Sequence, residues 1–209
     1  MALNATTEPQ SPYLLAQPTK KKLGIALLGL GNYSTNLLAP ALQHTNYCEL
    51  RGIITGTESK IPKWQRQHGI KESNVYTYRT MDDIANNDDI DVIYVVTPTG
   101  THKDFAVKAA NTGKHVWCEK PMAMDSEECQ AIIDACNKNN VTLSIGYRMQ
   151  HEPNTRTFHQ YIDTKPYGEI TAVSSFAGYS GQGRSPDNWR MQKHMGGGAL
   201  YDMGVYAIN

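Results

Sequence analysis

The sequence predicts an α/β fold in which a doubly wound parallel sheet is followed by the start of an α+β domain. Short apolar segments alternate with helix-like segments from residue 23 to residue 146. The first apolar segment, LGIALLG, has no polar face, which is typical of a strand covered on both sides. Strands that alternate with helices at this spacing indicate a parallel sheet.

After Gly146 the alternation stops, and a helix, a strand of mixed small and aromatic residues and a Gly-rich loop follow. We therefore predict three parts: an extended arm over 1–22, a Rossmann domain over 23–146 and an incomplete α+β domain over 147–209. Because the chain stops within a predicted helix at Asn209, we expect it to be truncated.

Each strand is predicted from a short apolar run bounded by turn residues. The six runs are 23–29, 48–55, 74–78, 91–97, 115–120 and 141–147. The helices predicted between them cover 33–44, 58–68, 81–87, 101–112 and a segment that Asp125 or Ser126 caps and that ends near 139. In the second part we predict a helix over 153–163, a strand over 168–178 and a helix at the end of the chain.

Composition excludes several classes of protein. The 20 basic and 20 acidic residues give a net charge of zero, which provides no electrostatic reason to expect a nucleic-acid partner. No apolar stretch approaches about 18 residues, so we predict no membrane span. The four cysteines form no CxxC pair, and we predict neither a disulfide framework nor a metal site. Residues 1–22 show no signal peptide, so we expect a cytoplasmic protein, or a periplasmic one if a signal was removed.

A glycine loop joins the first strand to the first helix. Gly29 permits a tight turn, Gly31 lets the backbone approach a pyrophosphate, and Asn32 and Tyr33 open the helix whose N-terminus favours an anion. Ser34 replaces the third glycine of the fingerprint and is small enough for close packing. Because the loop lies between a strand and a helix, it predicts dinucleotide binding.

The end of the second strand favours NADP(H) over NAD(H). No acidic residue ends the strand, and Thr55, Gly56, Thr57 and Lys60 offer donors and a positive charge to a 2′-phosphate. Glu58 is an acidic residue close to the strand end and is the feature that favours NAD(H) instead. The alternative is a solvated helix cap, with Thr57 as N-cap and Lys60 in water.

Two further strand ends carry candidate residues. Thr97 and Pro98 end the fourth strand at the edge where open α/β sheets bind ligands, and His102 follows within one turn. His102 is predicted to face a phosphate or the ribose, or else to cap a helix on the surface. Glu119 and Lys120 end the fifth strand, where Lys120 is placed for proton transfer or is an ordinary surface lysine.

Asp202 and Tyr206 are four residues apart in a predicted helix, so they share one face. The Tyr206 phenol can exchange a proton with a hydroxyl or a carbonyl, and Asp202 can bind a sugar hydroxyl or orient the tyrosine. An Asp–Tyr pair on a helix can equally be structural.

Taken in order, the strings GLGNYSTNLLAP, TPTGTHKDFA, GKHVWCEKPMA, IGYRMQHEPN and GGGALYDMGVYAIN resemble the glucose–fructose oxidoreductase/inositol dehydrogenase (Gfo/Idh/MocA) family. The resemblance is closest to the glucose–fructose oxidoreductase branch, which has tyrosine at the position of Tyr206 and a lysine like Lys60. It implies that Lys120 and Tyr206 are catalytic and that Asp202 assists them. It also implies a homo-oligomer, a dimer or tetramer, at full length. By the same resemblance, the nicotinamide pocket adds Arg148, Trp189 and Arg190.

The function expected from these features is NADP(H)-dependent hydride transfer on a sugar (an aldose, lactone or ketose) or on a cyclic polyol. One alternative is a non-catalytic NADP(H)-binding regulator on the same fold. Another is that this chain is an inactive truncated fragment.

Overall fold

Six parallel strands form a single sheet in the computed structural model, which describes residues 22–178, 180 and 184–208. The strand order is β3-β2-β1-β4-β5-β6, so the chain begins in the middle of the sheet and builds outward in both directions. This is the predicted doubly wound arrangement. The strands are β1 (Leu23–Leu28), β2 (Cys48–Thr55), β3 (Val75–Thr77), β4 (Val92–Val95), β5 (His115–Cys118) and β6 (Leu143–Ile145). Except for Lys22, the predicted arm over 1–22 lies outside the described residues.

The central strand β1 explains why its sequence has no polar face. Residues 25–28 are completely buried. Ala26 and Leu28 pack into one hydrophobic cluster, whereas Ile25 and Leu27 pack into another on the opposite face of the sheet. Because successive side chains of a strand point to opposite faces, both clusters require apolar residues from the same strand.

Four helices lie between the strands and two follow the last strand, as predicted. They are α1 (Ala39–Gln43), α2 (Ile61–His68), α3 (His102–Asn111), α4 (Ser126–Lys138), α5 (Pro153–Thr164) and α6 (Val205–Ile208). A π-helical stretch, Ser34–Leu38, precedes α1, and another, Leu200–Gly204, precedes α6. The short helix predicted over 81–87 is a 3₁₀ turn, Met81–Asn86. Asp125 caps α4 by accepting a hydrogen bond from the backbone N–H of Glu128, as predicted.

The strand predicted over 168–178 is wrong. Residues 171–178 have no regular structure, and Val173 and Phe176 are 81% and 94% exposed. A strand is stable when a neighbour accepts and donates its backbone hydrogen bonds, and no strand in the described part of the chain pairs with this segment. In the described ranges, no helix combines the length and the apolar character needed to cross a bilayer.

The segment 189–208 returns to the sheet and packs on its carboxyl edge. A Cβ added at Gly196 would lie 2.6 Å from the Cβ of Thr99, so only a glycine allows this close approach. The Tyr201 hydroxyl donates to the carbonyl of Met124 over 2.7 Å. These contacts place α6 and the π-helical stretch before it beside the ends of β4 and β5.

Candidate active site

The glycine loop is shaped by the strand beside it and is open on its other side. Gly29 has a φ of +100°, and a Cβ there would lie 2.7 Å from the carbonyl oxygen of Val96. The buried Ser34 hydroxyl donates to the carbonyl of Gly29 over 2.5 Å, which fastens the helix start to the turn. A Cβ at Gly31 would meet no atom within 4 Å. The loop therefore leaves room for a phosphate group at Gly31, beside Asn32 and Tyr33 in the first helical turn.

Lys60 bridges the end of β2 to the glycine loop. Its Nζ donates to the carbonyl of Leu30 over 2.9 Å, so the ammonium of this exposed side chain lies against the loop. Thr57 is the N-cap residue of the short 3₁₀ turn Glu58–Lys60, as the alternative predicted, but it makes no side-chain cap bond, and the Lys60 ammonium contacts the glycine loop. Thr55 is 2% exposed, and its hydroxyl accepts from the backbone N–H of Thr57 over 3.0 Å. The Thr55 hydroxyl thus serves its own turn, whereas the Lys60 charge is available at the loop.

Gly56 makes room for an aromatic ring that sequence reasoning missed. A Cβ at Gly56 would lie 2.6 Å from the ring of Tyr78, which also packs against Phe105 with ring centroids 4.6 Å apart. Burial raises the pKa of the Tyr78 phenol above its ordinary value, so this ring stays neutral beside the strand edge.

His102 occupies a different place from the one predicted. It is 1% exposed, with Nδ1 2.9 Å from the carbonyl oxygen of Pro121 and Nε2 2.8 Å from that of Thr97. Both predictions for it, a face toward the phosphate or ribose and a surface cap, are therefore wrong. Burial lowers the pKa of His102, which favours the neutral ring. Thr97 and Pro98 lie at the carboxyl edge of the sheet as predicted, and the Thr97 hydroxyl accepts from that of Thr101.

Glu119 forms a buried pair with Tyr94, another residue that sequence reasoning missed. The Tyr94 hydroxyl donates to Oε1 of Glu119 over 2.5 Å, and the backbone N–H of Lys120 donates to Oε2 over 3.2 Å. Burial raises the pKa of Glu119, and burial together with this carboxylate raises the pKa of Tyr94. A Cβ at Gly146 would lie 2.8 Å from Oε1 of Glu119, so the end of β6 needs a glycine to admit the pair.

Lys120 reaches from the end of β5 to α6 and to the π-helical stretch before it. Its Nζ donates to the backbone carbonyl of Asp202 over 2.7 Å and lies 3.7 Å from Oδ1 of the same residue. The same nitrogen lies 4.4 Å from the centroid of the Tyr206 ring, a distance at which a cation is attracted to the ring face. The side chains of Lys120 and Asp202 are only 11% and 9% exposed, so these interactions are poorly screened by water.

Asp202 is shared between two cations. Arg190 donates from Nε to Oδ2 of Asp202 over 3.1 Å, whereas Lys120 lies nearer Oδ1. The Arg190 guanidinium also stacks on Trp189, 4.4 Å from the ring centroid. Arg148 lies 5.7 Å from the centroid of the Tyr206 ring. Asp202 thereby positions both Lys120 and the Trp189–Arg190 turn around the phenol.

Tyr33 connects the glycine loop to this group of residues. Burial, followed by the nearby Glu119 and Tyr206, raises the pKa of its phenol to about 12. The Tyr33 phenol is therefore under the electrostatic influence of residues at the end of β5 and in α6. The structure thus brings together eight of the predicted site residues, namely Tyr33, Glu119, Lys120, Arg148, Trp189, Arg190, Asp202 and Tyr206.

This arrangement can bind a polar organic molecule and move a proton. The Lys120 ammonium lies over the Tyr206 phenol ring, and the backbone carbonyl of Asp202 holds the ammonium in place. A glycine loop with an open flank lies beside them, at the carboxyl edge of a doubly wound sheet where such proteins bind nucleotides. Fold and site define a dinucleotide-binding α/β protein.

Comparison with known proteins defines the family. An oxidoreductase family with an NAD-binding Rossmann fold, GFO/IDH/MocA, matches residues 23–147, and the GFO/IDH/MocA C-terminal domain matches residues 155–209. The chain belongs to the GFO/IDH/MocA oxidoreductase family.

Several relatives have described activities. D-xylose 1-dehydrogenase [NADP(+)] of Haloarcula marismortui is 29% identical over 91% of this chain and 54% of its own length. Levoglucosan dehydrogenase of Pseudarthrobacter phenanthrenivorans is 34% identical over 60% of this chain and 33% of its own length. The crystal structure of aldose-aldose oxidoreductase from Caulobacter crescentus, complexed with glycerol, aligns with a TM-score of 0.86 and 36% identity, covering 90% of this chain and 56% of that one. The chain spans about half the length of the relatives it matches over most of its length.

Proposed function

We propose that the whole protein is an NADP(H)-dependent oxidoreductase that transfers a hydride between the nicotinamide and a sugar or cyclic polyol. The observation that carries this proposal is the convergence of Lys120 and Tyr206, 4.4 Å from ammonium to ring centroid, beside an open glycine loop. The relatives named above support a sugar substrate, since they act on xylose, levoglucosan or other aldoses by name.

The residues present fit a dinucleotide. Gly31 leaves the space that a phosphate needs, and the helix that begins at residue 32 directs N–H groups toward it. We assign nucleotide binding to 23–146 and the substrate side of the crevice to 147–209, from which Asp202 and Tyr206 come. When bound, the nicotinamide supplies the hydride donor or acceptor for the reaction.

The chain's own residues handle the proton. During oxidation Tyr206, as its phenolate, takes the proton from a substrate hydroxyl, and during reduction the phenol returns that proton to the carbonyl oxygen. Lys120, fixed by the Asp202 carbonyl, stabilises negative charge that develops on the phenol or the substrate oxygen, because its own side chain is only 11% exposed and its charge is poorly screened. Asp202 orients Lys120 and Arg190, so its substitution alters both.

Lys60 carries the preference for NADP(H). A cation on the glycine loop, at the end of β2, attracts the 2′-phosphate and gives no advantage to NAD(H), which lacks it. We expect Lys60→Met to weaken NADP+ binding by about tenfold and to leave NAD+ binding nearly unchanged, since a charged hydrogen bond contributes roughly 1.5 kcal/mol or more. Equal losses for the two nucleotides, measured by fluorescence titration of their reduced forms, would contradict this assignment.

The experiment that tests the proposal separates binding from turnover. NADPH binding is followed by its fluorescence, and NADP+ reduction is followed with a panel of aldoses, ketoses and cyclic polyols. We expect Lys120→Met and Tyr206→Phe to bind NADPH within about threefold of wild type and to lose at least a hundredfold in turnover, as expected for general acid–base residues. The matched control is Tyr167→Phe, a phenol that is 89% exposed.

Two outcomes would reject the proposal. Turnover that both variants retain would remove Lys120 and Tyr206 from the chemistry. Tight NADPH binding by the full-length protein without turnover of any substrate in the panel would instead favour the non-catalytic regulator.

A further inference from the structure

His102 connects the ends of two neighbouring strands, β4 and β5. Its Nδ1 is 2.9 Å from the Pro121 carbonyl, directly after Lys120, and its Nε2 is 2.8 Å from the Thr97 carbonyl at the end of β4. His102 is 1% exposed and is the first residue of α3. Its position is therefore fixed by the buried start of that helix.

We propose that His102 is a positioning residue for Lys120, acting through an Nδ1–H donor to the Pro121 carbonyl. Lys120 precedes this carbonyl by one residue, and its ammonium must span the gap to Asp202 and Tyr206. A buried hydrogen bond at the next residue fixes where the lysine side chain starts, and hence where its ammonium ends. The inference rests on the proposed function for the catalytic role of Lys120, but the position of the Lys120 ammonium can be tested without that role.

Two other roles for His102 make different predictions. A residue that contacts the nucleotide changes nucleotide affinity, and a residue that only fills the core changes stability without moving Lys120 in the folded protein. The burial of the ring disagrees with the first role. His102 also contacts the segment that carries Lys120 directly, so the second role, filling of the core alone, has to be tested by experiment.

A matched pair of substitutions separates the two ring nitrogens. His102→Asn places an amide nitrogen where Nδ1 lies and retains a donor to Pro121. His102→Gln places its amide nitrogen where Nε2 lies and retains a donor to Thr97. We expect the Lys120 side chain to become more mobile and accessible in His102→Gln, which loses the donor to Pro121, but not in His102→Asn.

The first experiment measures the accessibility of Lys120 in the folded protein. Brief acetylation with acetic anhydride, read by peptide mass spectrometry, gives the labelling rate of Lys120 relative to Lys71, whose side chain is 69% exposed. We expect this ratio to rise about tenfold in His102→Gln, the factor that corresponds to about 1.4 kcal/mol, and less than about twofold in His102→Asn. No rise in either variant, equal rises in both, or a rise in His102→Asn alone overturns the proposal.

The wild-type protein provides a second test that does not depend on a folded variant. Two-bond ¹H–¹⁵N spectra distinguish the tautomers of a neutral histidine. We expect His102 to carry its proton on Nδ1. A proton on Nε2 alone overturns the proposal, because Nδ1 then has no hydrogen to donate to Pro121.

A kinetic test shows whether the placement affects the reaction. We expect His102→Gln to lower kcat about tenfold at saturating NADP+, with the Kd for NADPH within about twofold of wild type. In the Lys120→Met background the same substitution should change kcat less than twofold, because a residue that acts through Lys120 has no effect without it. Additive losses overturn the proposal. Absence of turnover in the wild type rejects the proposed function instead, and the labelling and tautomer experiments then still decide the role of His102.

Discussion

Removing the Tyr94 hydroxyl should destabilise the protein in a way that depends on pH. Tyr94→Phe keeps the ring, which packs edge-on against Trp117 with centroids 5.7 Å apart, and removes only the donor to Glu119. That donor lies 2.5 Å from a carboxylate on a residue that is 9% exposed. Hydrogen bonds to charged groups contribute roughly 1.5–3 kcal/mol, so we expect the free energy of unfolding to fall by about 2 kcal/mol at pH 8. For a chain of this size this corresponds to a fall in Tm of about 4–8 °C.

The sign of the pH dependence follows from Glu119. Burial raises its pKa in the folded state, so the stability that this group contributes is fully present below the pKa of the unfolded chain, about 4.3. That stability is lost as the pH rises through the folded-state pKa. The Tyr94 hydrogen bond lowers that pKa, and its removal raises it further. The variant must therefore lose more stability than wild type between pH 4 and pH 8.

Urea unfolding at pH 4 and pH 8 measures both quantities. We expect a loss of about 2 kcal/mol at pH 8 and about 1 kcal/mol or less at pH 4, where the raised pKa favours the protonated form of Glu119 in the folded protein. Tyr167→Phe, at a phenol that is 89% exposed, should change stability by less than about 0.5 kcal/mol at either pH. A loss for Tyr94→Phe that is the same at both pH values, or below about 0.5 kcal/mol at pH 8, would refute this explanation.

Two glycine substitutions give opposite outcomes. Gly146→Ala places a Cβ 2.8 Å from Oε1 of Glu119, so we expect the free energy of unfolding to fall by about 1–3 kcal/mol, measured by urea unfolding. An unchanged midpoint of urea unfolding would contradict this expectation and show that the Glu119 carboxyl moves aside without loss of stability. Gly31→Ala places a Cβ in open space, so we expect stability within about 0.5 kcal/mol of wild type but at least about tenfold weaker NADPH binding. Undiminished NADPH binding would remove Gly31 from the phosphate site.

The sheet was predictable because its signal is local. The largely buried β1 is a continuous apolar run, and β2 has the bounds predicted from the sequence, Cys48–Thr55. The glycine loop was identified by its place between β1 and the first helix. The residues at strand ends could be assigned to one edge because parallel strands align their carboxyl ends. This reasoning also placed Lys120, Asp202 and Tyr206 in one site, with help from the family resemblance.

The direction of individual side chains could not be predicted. His102 follows β4 by a few residues, and only the three-dimensional structure shows that its ring points inward to Pro121, 19 residues away. Tyr94 lies in an apolar strand, where the sequence predicts burial but no partner. The sequence therefore did not indicate that its hydroxyl would pair with Glu119, 25 residues further along. The strand expected over 168–178 has the right composition, but a strand also needs a paired neighbour, which composition does not report.

The most direct test of the site is a crystal structure of the protein with NADP+ bound. The account predicts the pyrophosphate at Gly31 and the nicotinamide on the side of the crevice that Lys120 and Tyr206 share. Both the ammonium and the phenol oxygen should then lie within reach of one bridging water from the nicotinamide, about 6 Å. A nicotinamide bound elsewhere, or with Lys120 and Tyr206 on opposite sides of it, would contradict the central claim.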